Sequence, residues 1–453
     1  MSTSSISHSF RYGFNSQLGN GDEHESLKLA TSMQADSYPY FFEGQVLNPR
    51  PAALMLFALS RVVGSRFYTP PAMLKRIIAA SDPVVTSGGG YLRFEGFSAC
   101  CSAYARVDIS PDAYKGQVVG QGTTNVDFNT QLKSTLIAIR NSDRMGLSVG
   151  TGEVVLKRNF ESVVEKKVDL PVRWLKGFVE VQSYQSEMAQ VFSLNRAETQ
   201  SFLRSLPRSA RPESCFWVVQ VGKGLRLSQT KTSNAVKIGG IERLNLLRDL
   251  AVHADSLTVF ALANGQASEW QLSCDGLKFC LTVTAEASRG FSGEGQVLES
   301  LANSNVNHLA KLKSLLKWQS AINLDEVAKS LELSASEVRA TLATLGAQGY
   351  VGFDLSNKAF YHRELPYKLD ALEEMHPRLK AAYKLVQNGG VKLHSESGPV
   401  IAVDVQGSTV THRVGLGSDR DTCTCPWYSK NQGDRGPCKH ILAAKLQLEP
   451  NYD

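Results

Sequence analysis

The chain has 453 residues, enough for two to four domains. Apolar residues make up 42% of it and charged residues 20%, a balance ordinary for a soluble globular protein. Lys and Arg (49) exceed Asp and Glu (43) by six charges, a mild excess that neither demands nor excludes a nucleic-acid partner.

Residues 1–20 lack the apolar core of a signal peptide. No run approaches the roughly 18 apolar residues of a spanning helix. The expectation is a cytoplasmic protein without membrane contact, whose cysteines outside any metal site stay reduced.

Residues 1–36, rich in Ser, Asn and Gly, read as an irregular lead-in. Residues 37–304 then alternate between helical and strand patterns. Apolar stretches with Pro at their start predict helices over 51–63 and 70–80. Gly88-Gly89-Gly90 breaks the chain, and aromatic and small residues predict strand over 91–107. Cys100 and Cys101 fall in that stretch. With no His or basic residue near them in sequence they read as packing residues. Further helices are predicted over 130–140, 172–188, 196–206, 241–253 and 295–302. Strands are predicted over 153–156, 215–221, 224–227, 257–262, 269–274 and 277–284. This order predicts an α+β, multidomain chain with a large mixed N-terminal region. No enzyme is evident. Gly88-Gly89-Gly90 and Gly222-Lys223-Gly224 lack the spacing of a phosphate loop. There is no Ser/His/Asp set, no H-E-x-x-H run, and no carboxylate pair in a context that suits catalysis.

Over 305–365 the pattern changes. Leu309, Leu312, Leu315 and Leu316 predict a helix over 308–319. Asn323 to Glu326 and Ser334 to Glu337 are capping-box signatures for short helices over 324–331 and 335–348. Residues 351–355 and 359–362 read as a hairpin. This layout resembles a winged helix, but its third helix sets one base, Arg339, against Glu337. That is a poor supply of charge for phosphates, so protein contact or a structural role is favoured over DNA reading. Residues 366–394 read as a helical connector to a last module, 395–453.

That module holds the most specific signal in the chain. Cys423-Thr424-Cys425 and Cys438-Lys439-His440 supply three thiols and one imidazole in two pairs. In an extended segment residues two apart point to one side, so Cys423 and Cys425 can face one metal. Pro437 favours helix entry, which brings Cys438 and His440 to the same point. Four such ligands suit one structural zinc ion with no open position. Between the pairs, Trp427, Tyr428, Lys430 and Arg435 combine aromatic faces with positive charge. That set suits stacking on bases with contacts to phosphates, or anchoring a protein partner; Trp427 is equally suited to pack over the ligands.

Cys423-Thr424-Cys425-Pro426 and Cys438-Lys439-His440-Ile441-Leu442, preceded by predicted strands over 399–405 and 409–416, resemble the SWIM-type zinc finger, C-x-C-x(n)-C-x-H. Phe41-Phe42-Glu43-Gly44, residues 59–68 and residues 289–295 are similar to the long N-terminal part of bacterial SWIM-finger proteins. The resemblance implies genes encoded beside a MoxR-type AAA+ ATPase and von Willebrand A-domain proteins, and hence a partner of that kind. The first functional reading is a non-enzymatic adaptor that holds protein or nucleic acid through its finger. A DNA-binding regulator using winged helix and finger is the alternative. An enzyme with an unrecognised N-terminal site is a further one.

Overall fold

A computed structural model describes residues 17–20, 25–28, 40–67, 83–118, 120–167, 172–208, 214–291, 306–365, 377–395, 400–417, 420–433 and 435–448. Helices and sheets are mixed, and every pairing between the described strands is antiparallel. Within the stretch expected to be irregular, β1 (Gln17–Asn20) and β2 (Glu25–Lys28) pair as a short ribbon. Next come β3 (Tyr40–Val46), α1 (Pro49–Gly64), β4 (Val84–Gly88), β5 (Tyr91–Phe97), β6 (Ala103–Ile109), β7 (Tyr114–Val118) and β8 (Gly122–Asn125). They are followed by α2 (Thr130–Ala138), β9 (Met145–Gly150), β10 (Glu153–Arg158), β11 (Glu161–Lys166), α3 (Val172–Glu187), β12 (Ala189–Asn195) and α4 (Arg196–Ser205). Strands β13 (Cys215–Val221), β14 (Gly224–Ser228), β15 (Val236–Gly239), β16 (Ser256–Ala261), β17 (Ala267–Cys274) and β18 (Leu277–Thr284) complete this region. The predicted helices over 70–80 and 295–302 lie outside the described residues.

Eight strands form the largest sheet, in the order β12-β16-β17-β18-β6-β5-β4-β8. A five-stranded sheet, β11-β10-β9-β3-β7, and a three-stranded one, β14-β13-β15, accompany it. Helix α1 begins with prolines in its first turn and carries Ala52, Met55, Leu56, Leu59 and Val62 on its buried side. It packs on β5, β6 and β18, whose facing residues include Phe94, Val107 and Leu281.

Two sequence expectations are corrected here. The stretch 91–107 is not one strand but the hairpin β5–β6. Small residues Ser98 to Ser102 make its turn, and Cys101 sits in the left-handed region at φ 55°. Cys100 and Cys101 therefore lie in that turn rather than in a strand. Residues 241–253 form a 3-10 run over Ile241–Leu247 followed by turns, not an α-helix. The buried Arg243 guanidinium donates to Ser102 O (2.8 Å), Gly240 O (3.3 Å) and Thr284 O (2.8 Å). It thereby ties a tighter turn to the ends of β6 and β18. Burial lowers the Arg243 pKa to about 10.

Helices α5 (Val306–Ser314), α6 (Leu324–Leu331) and α7 (Ala335–Ala347) and the hairpin β19 (Val351–Asp354)–β20 (Ala359–His362) follow. Ser334 and Glu337 form a capping box on α7, and Asn323 accepts from the N–H groups of Asp325 and Glu326 on α6. The hairpin lies against the second face of the eight-stranded sheet, and that face is polar. Arg93 pairs across the strands with Asp108, and Glu95 with Arg106. Glu95 Oε1 accepts from Tyr104 (2.6 Å), from the hairpin's Tyr361 (3.0 Å) and from Arg363 (2.5 Å). Arg106 donates to Asp108 Oδ2 (2.9 Å) and to the hairpin's Phe353 O (2.9 Å), and its Nη2 lies 3.5 Å from Asp354 Oδ1. Burial pushes Glu95 up, but Arg363, Tyr104 and Arg106 outweigh it and hold the carboxyl below its ordinary range.

His362 is 3% exposed. Its ring stacks on Trp318 at 4.5 Å, and its Nδ1 accepts the Trp318 N–H at 2.8 Å. Burial lowers its pKa to about 4, against about 6.5 in an unfolded chain. Between those values the unfolded state binds more protons, so stability is full above pH 6.5 and falls with pH toward 4. The urea midpoint is expected to drop between pH 7 and pH 5, by an amount worth about 2 kcal/mol from this one group. His362→Gln should flatten that slope; an equal slope in the variant would refute the assignment.

Candidate metal centre

The C-terminal module is a four-stranded sheet between helices. Helix α8 (Pro377–Gln387) precedes β21 (Val391–Ser395), β22 (Val400–Gln406), β23 (Thr411–Gly417) and β24 (Thr422–Cys423), which pair in that order. Two helices follow, α9 (Pro426–Asn431) and α10 (Lys439–Leu448). The hairpin expected before the first cysteine pair is β22–β23. Strand β21 and helix α9 were not expected from the sequence. Helix α8, read from sequence as part of a connector, packs along α10, with Leu379 and Ala382 buried.

Each ligand pair sits where a helix begins. Cys423 ends β24, and Cys425 is the N-cap of α9, with Pro426 in the first turn. Cys438 immediately precedes α10, and His440 lies in its first turn. Backbone N–H groups point at all three sulfurs: Cys425 N at Cys423 Sγ (3.4 Å), Tyr428 N at Cys425 Sγ (3.3 Å) and Ile441 N at Cys438 Sγ (3.5 Å). Such donors favour thiolate over thiol.

The four donor atoms are buried and lie within 4.8 Å of one another. His440 Nδ1 is 3.9 Å from Cys423 Sγ and 4.0 Å from Cys438 Sγ. A tetrahedral zinc ion with bonds of about 2.0–2.3 Å asks for donor separations just under about 4 Å, so the residues fit the ion. Without a cation the thiols compete. The Cys438 thiol is held below its ordinary range, chiefly through its hydrogen bond with Cys423, while that same bond pushes Cys423 up and burial pushes Cys425 up. A divalent cation removes the competition, because a coordinated thiol is deprotonated outright. Side chains fill all four positions, as in closed structural sites.

A second group, Asp255, Cys274 and Asp275, also brings three donor atoms together. Asp255 is already paired with Arg196 and accepts the Asp275 N–H at 3.2 Å, so its charge is met without a metal.

The other residues singled out from sequence separate into two kinds. Tyr428 is buried, and its hydroxyl donates to Asp421 O (2.6 Å). Trp427 is half-buried, with the Arg378 guanidinium 4.5 Å over its ring. Lys430 and Arg435 are exposed. Sequence reasoning missed Arg378 altogether, because it lies outside the cysteine motif and has no distinguishing pattern of its own.

The pattern model of the SWIM zinc finger matches residues 412–449. No curated protein matches the chain. Among solved structures, the chain is similar to the proliferating cellular nuclear antigen of Entamoeba histolytica, over 54% of this chain and 98% of that one, at 12% identity and a TM-score of 0.36. It is similar to a chain of the PCNA2–PCNA3 complex of Sulfolobus tokodaii over 54% and 100%, at 9% identity and 0.39. At these scores neither likeness assigns fold or function. The family match and the geometry meet on the same four side chains: residues 412–449 form a SWIM zinc finger, with Cys423, Cys425, Cys438 and His440 positioned to bind one zinc ion.

Proposed function

We propose that the chain is a cytoplasmic, non-enzymatic adaptor that holds a protein partner through the outer surface of its finger. The closed, buried ligand set carries this reading: a metal with no open position organises a surface rather than performing chemistry. By resemblance the partner is an AAA+ ATPase or a von Willebrand A-domain protein. The second reading, a DNA-binding regulator, draws on exposed Lys430 and Arg435. Taken as a winged helix, residues 306–365 favour the adaptor. Their hairpin is occupied within the chain, where Ser356 donates to Gln271 (2.6 Å) and accepts from Lys278 (2.6 Å). The outward side of α7 offers Ser336, Glu337, Arg339 and Ala340, a weak match to phosphates.

Lys430→Glu combined with Arg435→Glu tests both readings, once normal zinc content is established. Loss of a nuclease-resistant protein partner in pull-downs, with no change in DNA binding, is the expected result. Weakened duplex binding, with a salt slope shallower by about two, would instead establish the regulator. Full retention of both activities would remove this loop as the binding face.

A further inference from the structure

Arg378 lies more than thirty residues before the matched finger, yet its guanidinium touches both halves of the metal site. It covers the ring of Trp427, two residues beyond Cys425, at 4.5 Å. Its Nη1 donates to Arg435 O (3.0 Å) and to Pro437 O (2.8 Å), the carbonyl immediately before Cys438. Helix α8 carries the residue into place, because Leu379 and Ala382 fix that helix against α10. We infer that Arg378 is a positioning residue for the zinc site, a clamp that holds the second ligand pair against the first.

The physical case rests on what the segment before Cys438 lacks. Its described residues have no regular secondary structure, and Gly433 and Gly436 both adopt positive φ, at 86° and 73°. Glycines give such a segment many alternative conformations. Bringing Cys438 and His440 back to Cys423 and Cys425 therefore costs loop entropy. Two carbonyls fixed by a charged donor reduce that cost at the point nearest the ligand. A guanidinium can do this and stack on an indole at once, because it is planar and offers several N–H groups in fixed directions. A lysine ammonium can keep the charge and part of the stacking but not the fork. The same contact covers one face of Trp427, a ring the sequence offered for stacking on a base.

The experiment uses the full-length, zinc-loaded protein and follows zinc transfer to a chromophoric chelator. Arg378→Ala is expected to release zinc about tenfold faster or more, and Arg378→Lys at an intermediate rate. The cobalt-substituted proteins should keep the absorption of a four-ligand thiolate site, since every ligand remains. Leu379→Ala separates clamping from general support of the helix, because it trims one of the two buried anchors of α8, with Ala382 still seated, and keeps the guanidinium. Its release rate is expected to stay well below that of Arg378→Ala. Wild-type release from Arg378→Ala overturns the inference, as does Arg378→Lys releasing no more slowly than Ala, or Leu379→Ala matching Arg378→Ala. If Arg378→Ala does not fold, Arg378→Lys decides alone, and a wild-type rate there overturns it.

Discussion

Removing zinc, or replacing Cys438 by Ser, is expected to unfold residues 377–448 and leave the eight-stranded sheet folded. Structural zinc contributes on the order of 10 kcal/mol to small finger modules at neutral pH. This module has little else to replace it. Its buried apolar side chains are few, among them Leu379, Val403, Val405, Val414, Ile441 and Leu442, and a unit of this size is marginal alone. Loss of the metal also leaves three buried thiols and an imidazole crowded within 4.8 Å. The affected region begins at α8 because α8 packs on α10, which carries His440. Hydrogen exchange before and after chelation checks this: amides in 377–448 should lose protection, and those of β5, β6, β17 and β18 should keep it. Uniform protection after the metal is gone would refute it. Cys438→Ser should also lower the zinc content from about one ion per chain to near none.

The second large effect concerns the polar interface between the big sheet and the β19–β20 hairpin. Glu95→Gln leaves Arg363 buried without its carboxylate, and Arg363→Met leaves Glu95 with only hydroxyl partners and the more distant Arg106. Each change is expected to cost about 3–5 kcal/mol, the usual penalty for orphaning one member of a buried pair. The double variant should cost less than the two singles together, since it removes both charges. Urea unfolding of the three variants measures the cycle, and strict additivity would show that the pair is not coupled. The sign with pH follows from the lowered Glu95 pKa. Its contribution is present above about pH 4.3, the ordinary glutamate value, and is lost as acid protonates the carboxylate.

The two regions differ in how much of them the sequence displayed. Ligand spacing is local, so Cys423, Cys425, Cys438 and His440 were legible as one site. The capping residues Asn323 and Ser334 marked their helices for the same reason. Strands β5 and β6 were visible as strand, but their pairing as a hairpin depended on a turn of small residues with no Gly or Pro. The polar face was hidden more deeply. Arg93, Glu95, Arg106 and Asp108 alternate with apolar residues, the pattern of a sheet with one wet side. What covers that side comes from residues 353–363, and Glu95 meets Arg363 across 268 positions. No local pattern carries such a contact. Arg378 was invisible for a related reason, since its role rests on carbonyl groups, which every residue possesses.

The order of strands in the large sheet also governs where the chain can be divided. Arg106 and Cys280, 174 residues apart in sequence, face each other across β6 and β18. These two strands are the seam at which an early run of strands, β4, β5, β6 and β8, meets a late one, β12, β16, β17 and β18. A fragment ending before Leu277 contains most of the strands but not the seam. It leaves β6 with a free row of backbone donors and acceptors, an invitation to pair with another molecule. The large sheet, together with the β19–β20 hairpin that covers its polar face, is therefore expected to resist division, whereas α8 and the finger are expected to separate from it as one piece.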